Sequence, residues 1–219
     1  MAHTLAAARD SVRRLLDDDG SNQRYATSAI DQALQDALSR GLSDYASAGG
    51  DVFDTEASVA TVAGVATLTG PIILVRSVQI SVGNSRHTVR PMRRVDRRLV
   101  DVSVRTLLVE LVRDYVLPTN TAHPFVGDGA TPANSWHGFD MWCFSMAALQ
   151  LGITDNDQRP GLNDLEQRLR SDVMRRANAP ISRPMPDSES HSWMPSIGYV
   201  YNANIASPTI QLVQRDAWL

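Results

Sequence analysis

The chain has 219 residues, a formal net charge of −3, 43% hydrophobic and 21% charged residues. This is enough for one good core, or a core with an appendage, in a soluble globular protein, and it gives no overall pull toward nucleic acid or an anionic membrane. The single cysteine, Cys143, excludes an internal disulfide framework, and the densest apolar run, Ile72 to Val75, is far short of the roughly 18 residues of a membrane span.

Thr4 is placed to cap a first helix in which Leu5, Ala8, Val12, Leu15 and Leu16 follow the helical period, ending in the polar break Asp17 to Gln23. Arg9, Asp10, Arg13 and Arg14 make this opening amphipathic, without the apolar block of a secretory signal. A second helix is predicted from Thr27 or Ser28, with Asp31 as the capping partner of Ser28. It buries Ile30, Ala33, Leu34, Ala37, Leu38 and Leu42, is weakened by Gly41 and ends at Gly49-Gly50. The two helices make a hairpin.

From Val52 the pattern turns β-branched, through Val59, Val62, Val65 and Leu68 to Ile72–Val75 and Val78–Ile80, and Gly83-Asn84 is a usable hairpin turn before Arg86 to Val89. This predicts an antiparallel sheet too small to stand alone. A third helix is predicted after Asp96, with Val100, Val104, Leu107, Leu108, Leu111 and Tyr115 at helical spacing and Pro118 as its stop. Residues 118–135 form a long loop. The apolar segment Phe139 to Leu151 follows, and a last helix carries Leu162, Leu165, Leu169 and Val173 inward.

Pro180 to Leu219 holds five of the 11 prolines together with Trp193, Tyr199, Tyr201 and Trp218. Proline at this density opposes a long helix or a central strand, while the apolar content needs cover. The sequence therefore predicts an extended arm gripping another chain. The fold class expected is mainly α, a bundle of N- and C-terminal helix pairs with a small antiparallel β insertion and a C-terminal arm. The boundaries are 1–50 for the helical hairpin, 51–95 for the β region, 96–178 for the helical completion and 179–219 for the arm.

Several constellations bear on chemistry. His137, Asp140 and Cys143 stand three apart, a loose spacing for a metal or a thiol-dependent hydrolase, with His123 the only available fourth ligand; burial of Cys143 as a small hydrophobe is the competing reading. Asp17, Asp18 and Asp19 lack the glutamate that closes an EF-hand and read as solvated carboxylates at a helix end. The chain contains no lysine, which excludes a Walker-type phosphate loop around Gly127-Asp128-Gly129. Arg86, Arg90, Arg93, Arg94, Arg97 and Arg98, balanced only by Asp96, suit either phosphates or an acidic face such as Asp17 to Asp19 of a neighbouring copy. No aromatic platform for bases lies nearby.

Taken together, Thr4 to Asp17, Arg24-Tyr25-Ala26-Thr27 and the helix through Tyr45 resemble the opening helix, polar loop and helix of the head-to-tail adaptor (connector, or neck) proteins of tailed bacteriophages, the short-tailed type in particular. Ala147 to Gly152, Asp155-Asn156-Asp157 and Leu165 to Ala177 are similar to that family's closing helix pair, and Pro71 to Val95 to its intervening strands. The resemblance implies a non-enzymatic virion protein without cofactor or metal. It would form a ring, commonly of twelve copies, between the portal protein and the tail or nozzle, with DNA passing through the lumen and no membrane involved. By the same analogy, Trp193, Tyr199, Tyr201 and Trp218 of the arm, with Arg93, Arg94, Arg97 and Arg98, are the candidate interface residues.

Overall fold

A computed structural model of the chain describes residues 3–21, 23–82, 85–91, 97–99, 106–154, 161–178, 197–203 and 207–215. In chain order the elements are α1 (Leu5–Leu15), α2 (Thr27–Ser47), β1 (Asp54–Ala60), β2 (Val65–Thr67), β3 (Ile72–Val82), β4 (Ser85–Pro91), β5 (Arg97–Leu99), β6 (Thr106–Arg113), β7 (Gly127–Asp128), β8 (Thr131–Pro132), α3 (His137–Thr154), α4 (Leu162–Ala177), β9 (Ile197–Asn202) and β10 (Thr209–Arg215). They fall into two units, each built from two stretches of chain: Met1–Phe53 with Tyr115–Ala179, and Asp54–Asp114 with Pro180–Leu219. The expectation of a mainly helical bundle is therefore corrected to a mixed helix-and-sheet fold.

In the first unit Thr4 caps α1 as its position predicts, its hydroxyl accepting the Ala7 N–H at 3.2 Å. Helix α2 begins at Thr27, but Ser28 lies inside it; the cap position is Ala26, with no side-chain bond. Gly41 does not weaken a last turn, since α2 continues to Ser47. A Cβ at Gly41 would meet Cys143 Sγ at 3.2 Å and Phe139 Cζ at 3.5 Å, so the bare backbone lets α2 and α3 approach closely. Helix α3 is the hub, packed against α1, α2 and α4. Buried Phe139, Trp142, Phe144, Ala147, Ala148 and Leu151 cover most of its circumference, the pattern of a helix enclosed on all sides. Helix α4 is an outer layer that buries only Leu162, Val173 and Ala177, and its Glu166 accepts the Trp142 indole N–H at 2.8 Å.

The long loop before α3 is tied down. The Leu5 and Ala6 N–H groups donate to the His123 and Thr121 carbonyls, both at 3.0 Å, and the Phe125 N–H donates to the His3 carbonyl at 2.7 Å. Phe125 and Val126 are buried, and β7 and β8 form a minimal antiparallel pair.

In the second unit the strand order is β1-β6-β3-β4-β9-β10-β2, with β5 also on β10. All pairings are antiparallel except β4 with β9, where Arg90 and Pro91 lie beside Gly198 and Tyr199. β3 and β4 form the expected hairpin, Val82 pairing with Ser85; Gly83 and Asn84 lie outside the described residues. The helix expected after Asp96 is replaced by strands. Leu107, Val109 and Leu111 of β6 point into the core while Leu108 and Glu110 alternate outward; these apolar positions fit both periods, and pairing with β1 and β3 on either side selects the strand. Val100 and Val104 lie outside the described residues. Register shifts between Ile72 and Leu74 and between Val75 and Ser77 bend β3, which brings Val75 and Val78 onto the same inner face.

The two ends of the strand order are adjacent in sequence. Strand β1 leads to β2 through a tight turn in which Val62 and Val65 exchange N–H···O bonds of 2.8 and 3.0 Å. Ala63 at φ 49° and Gly64 at φ 75° occupy its centre, the left-handed pair of a type I′ turn. The sheet thus curls upon itself around one core of Ala66, Leu68, Val78, Ile80, Leu107 and Val109 together with Tyr199, Ile210 and Leu212. It is an eight-stranded sheet with a core of its own rather than a small insertion. The extended arm is likewise corrected: β9 and β10, from the expected arm, are interior partners in this sheet.

Candidate functional site

The residues singled out from the sequence are not brought into one centre. His137 opens α3 and is exposed, Asp140 and Cys143 are fully buried one and two turns on, and His123 shares its ring nitrogen with the Asn120 amide at 3.3 Å. No group of three His, Cys, Asp or Glu side chains suited to a metal occurs among the described residues. The partner of Asp140 is His3, whose Nδ1 lies 2.7 Å from Oδ2. Burial raises the Asp140 carboxyl above its ordinary range, and the bond and charge of His3 offset part of that rise. The other oxygen, Oδ1, is buried without a partner. Nothing in the sequence pattern couples His3 to Asp140, which lie 137 positions apart; the pinning of residues 3–6 to residues 121–125 and the packing of α1 on α3 bring them together.

Cys143 faces Gly41 across the α2–α3 contact. Its thiol is pushed well up, first by burial and then by the neighbouring Asp140 charge, the opposite of an activated nucleophile. The thiol is expected to resist a water-soluble disulfide reagent at about pH 8 in the native protein and to react within minutes once urea unfolds it. Fast stoichiometric labelling of the native chain would contradict this assignment.

The carboxylates at the end of α1 are not all solvated. Asp18 is buried and bonds Arg13 Nη1 at 2.7 Å, side-chain exposures being 4% and 8%. It also accepts the backbone N–H groups of Arg24 and Tyr25. Arg13 reaches on to the Tyr25 carbonyl at 3.1 Å. This cluster shapes the α1–α2 connection, with Arg9 forking onto Asp31 at 2.7 and 2.8 Å.

Of the candidate interface residues, Tyr199 is buried. It lies in β9 opposite Leu212, 5% exposed, and burial raises its phenol; it is a core residue. Tyr201, opposite Ile210, is half-buried beside the same core. Arg97 and Arg98 lie in β5, paired through the backbone with Arg215 and Gln214. Trp193, Trp218, Arg93 and Arg94 lie outside the described residues. Arg86 is exposed and meets Glu56 at 3.4 Å.

Two concavities lie among the described residues, one on each unit. On the helical unit, a groove of about 540 Å³ runs between α2, α3 and α4, with Ala37, Met146, Leu149 and Ile153 as its apolar part and Asp36, Arg40, Glu166 and Arg170 as its charged part. Ile153 is 71% exposed, an unusual position for an isoleucine. On the strand unit, a depression of about 270 Å³ is lined by Asp54, Glu56, Ser77, Gln79 and Glu110. The β1–β6 register sets Glu56 directly opposite Glu110; like charges so placed repel, and Arg86 on Glu56 and the Ser77 hydroxyl on Glu110 relieve the repulsion. Among the described residues no helix is long and apolar enough to cross a membrane. No known protein-family model matches the chain, and no curated protein matches it.

Proposed function

We propose that this chain is a non-enzymatic structural subunit, the head-to-tail adaptor of a short-tailed bacteriophage. It would assemble as a ring between portal and tail and let DNA through its centre. One observation carries the reading: α1 and α2 at one end of the sequence and α3 and α4 far along it pack as a single unit, while the strand unit is built from the chain between them together with β9 and β10 after α4. Up to α4 this is the order of helix pair, strands and helix pair that the sequence resemblance implies, to which β9 and β10 add two further strands. The use of the polar residues agrees with it, since Arg13 and Asp18 form a buried pair and His3 and Asp140 a part-buried one, both within the helical unit.

A ring built from one repeated head-to-tail contact needs a surface on each subunit that fits a different surface of the next. The groove bearing Ile153 and the depression bearing Glu56 and Glu110 are concave features among the described residues that could serve such contacts. Electron microscopy and native mass spectrometry of the purified protein, alone and mixed with the portal of the same virus, test the proposal. Closed rings, or a ring seated on the portal, are the expected result. A protein that stays monomeric under both conditions overturns it.

A further inference from the structure

Helix α3 is buried around most of its circumference, and one stripe near its end breaks that pattern. Met146, Leu149 and Ile153 stand three and four residues apart along it, and with Ala37 of α2 they make the apolar floor of the groove of about 540 Å³ that α4 borders with Glu166 and Arg170. Ile153 is left 71% exposed there. A concavity of this volume is in the range that encloses a ligand rather than a stray solvent molecule.

The polar groups of the groove are unequally used. Asp36 accepts the side-chain amides of Gln32 and Gln150 at 2.8 and 3.0 Å, and Glu166 accepts the Trp142 indole N–H at 2.8 Å. Both carboxylates are thus engaged by this chain. Arg170, by contrast, reaches Asp44 only at 3.5 Å and keeps 51% of its side chain exposed, and Arg40 is exposed with no ion pair among the described residues. Two guanidiniums remain to receive an acceptor. The groove therefore suits an apolar group with a carboxylate close beside it.

The sequence supplies such a segment. Strand β10 ends at Arg215, and Asp216-Ala217-Trp218-Leu219 follows it, outside the described residues. One carboxylate stands two positions before a tryptophan and a leucine, and tryptophan is enriched among the side chains that anchor interfaces in pockets. At no more than about 3.6 Å per residue, these four positions reach about 14 Å beyond Arg215. We propose that Asp216-Ala217-Trp218-Leu219 of one copy fills the α2–α3–α4 groove of the next, with Trp218 and Leu219 against Met146, Leu149 and Ile153 and with Asp216 on Arg40. The contact rests on the ring reading and gives it a specific joint: segment and groove are different surfaces of one chain, so their pairing is heterologous and repeats from copy to copy.

The test uses full chains that each carry one new thiol, Thr154→Cys on the groove in one and Ala217→Cys in the other, co-expressed, oxidised and separated without reductant. Cys143 is buried and stays out of the exchange. A disulfide joining the two differently substituted chains is expected, and neither variant alone is expected to give a covalent dimer. Arg40→Glu in the groove-bearing chain is expected to slow its formation by about tenfold, the loss of one charge-assisted hydrogen bond, and Asp216→Arg in the other chain is expected to restore it. Trp218→Ala, or Ile153→Asp in the groove, is expected to slow it by about thirtyfold, the loss of an interface anchor. Arg40 and Ile153 are both exposed, so these substitutions leave the core untouched. Absence of the mixed dimer overturns the proposal, as does a mixed dimer whose rate is unchanged in Trp218→Ala or in Arg40→Glu. Electron microscopy of the unsubstituted chain reads the ring separately: closed rings without the mixed disulfide overturn the contact alone, and the mixed disulfide in a protein that closes no ring upholds the contact and overturns the ring.

Discussion

Ending the chain at residue 196 is expected to unfold the strand unit while the helical signal of α1 to α4 persists. The truncation removes β9 and β10, and with them Tyr199, Ile210, Leu212 and Val213, all buried. It also strips β2 and β5 of the strand they pair with, since both attach to β10. No residue beyond Ala179 belongs to the helical unit. A milder form of the same test is Leu212→Ala, a fully buried leucine in the centre of β10, expected to cost about 2–5 kcal/mol. Urea unfolding followed by circular dichroism, with limited proteolysis to locate the cleaved region, reads both. A truncated protein whose strand unit stays protease-resistant would show that β9 and β10 are accessories after all.

Asp18→Ala is expected to destabilise the helical unit strongly. It leaves the Arg13 guanidinium buried without its carboxylate, and it withdraws the acceptor from the Arg24 and Tyr25 N–H groups at the start of the α2 approach. Breaking a buried pair from one side costs about 3–5 kcal/mol, and lost acceptors add to this when the donors stay dry. Asp18→Asn retains an acceptor oxygen and is expected to lose less. Equilibrium denaturation of the two variants separates charge from hydrogen bonding, and a loss below about 0.5 kcal/mol in Asp18→Ala, the range of ordinary surface changes, would mean that water replaces the carboxylate there.

The helices were legible because their signals are local. Thr4 before a run at helical spacing, and the all-round apolar character of residues 139–151, need no knowledge of the rest of the chain. Residues 106–113 were misread because Leu107 and Leu111, four apart, satisfy a helical stripe as well as an alternating one, and the deciding contacts come from β1 and β3. The C-terminal stretch was misread for a related reason. Its prolines do oppose a central strand, but they fall between β9 and β10 or outside them: Pro208 lies just before β10 and its carbonyl accepts the Leu68 N–H at 2.9 Å. Proline density over forty residues said nothing about the two six- and seven-residue stretches free of it. Of the polar sites, Cys143 could be weighed in advance as a buried thiol. The pairing of His3 with Asp140 and the burial of Asp18 are products of tertiary approach, and acidic residues in a row at a helix end gave no hint that one of them turns inward.

The turn at Ala63-Gly64, which joins the opposite ends of one curled sheet, also sets an order of events during synthesis. Strands β1 to β6 leave the ribosome long before β10, yet Ala66 and Leu68 find their cover only when Ile210 and Leu212 arrive. The helical unit has all its pieces once residue 177 has emerged. The strand unit must wait for Arg215, holding apolar edges open in the meantime, and such non-local closure is slow and prone to aggregation. The nascent chain therefore carries a finished helical unit beside an unfinished sheet, and chaperone demand should peak in that interval.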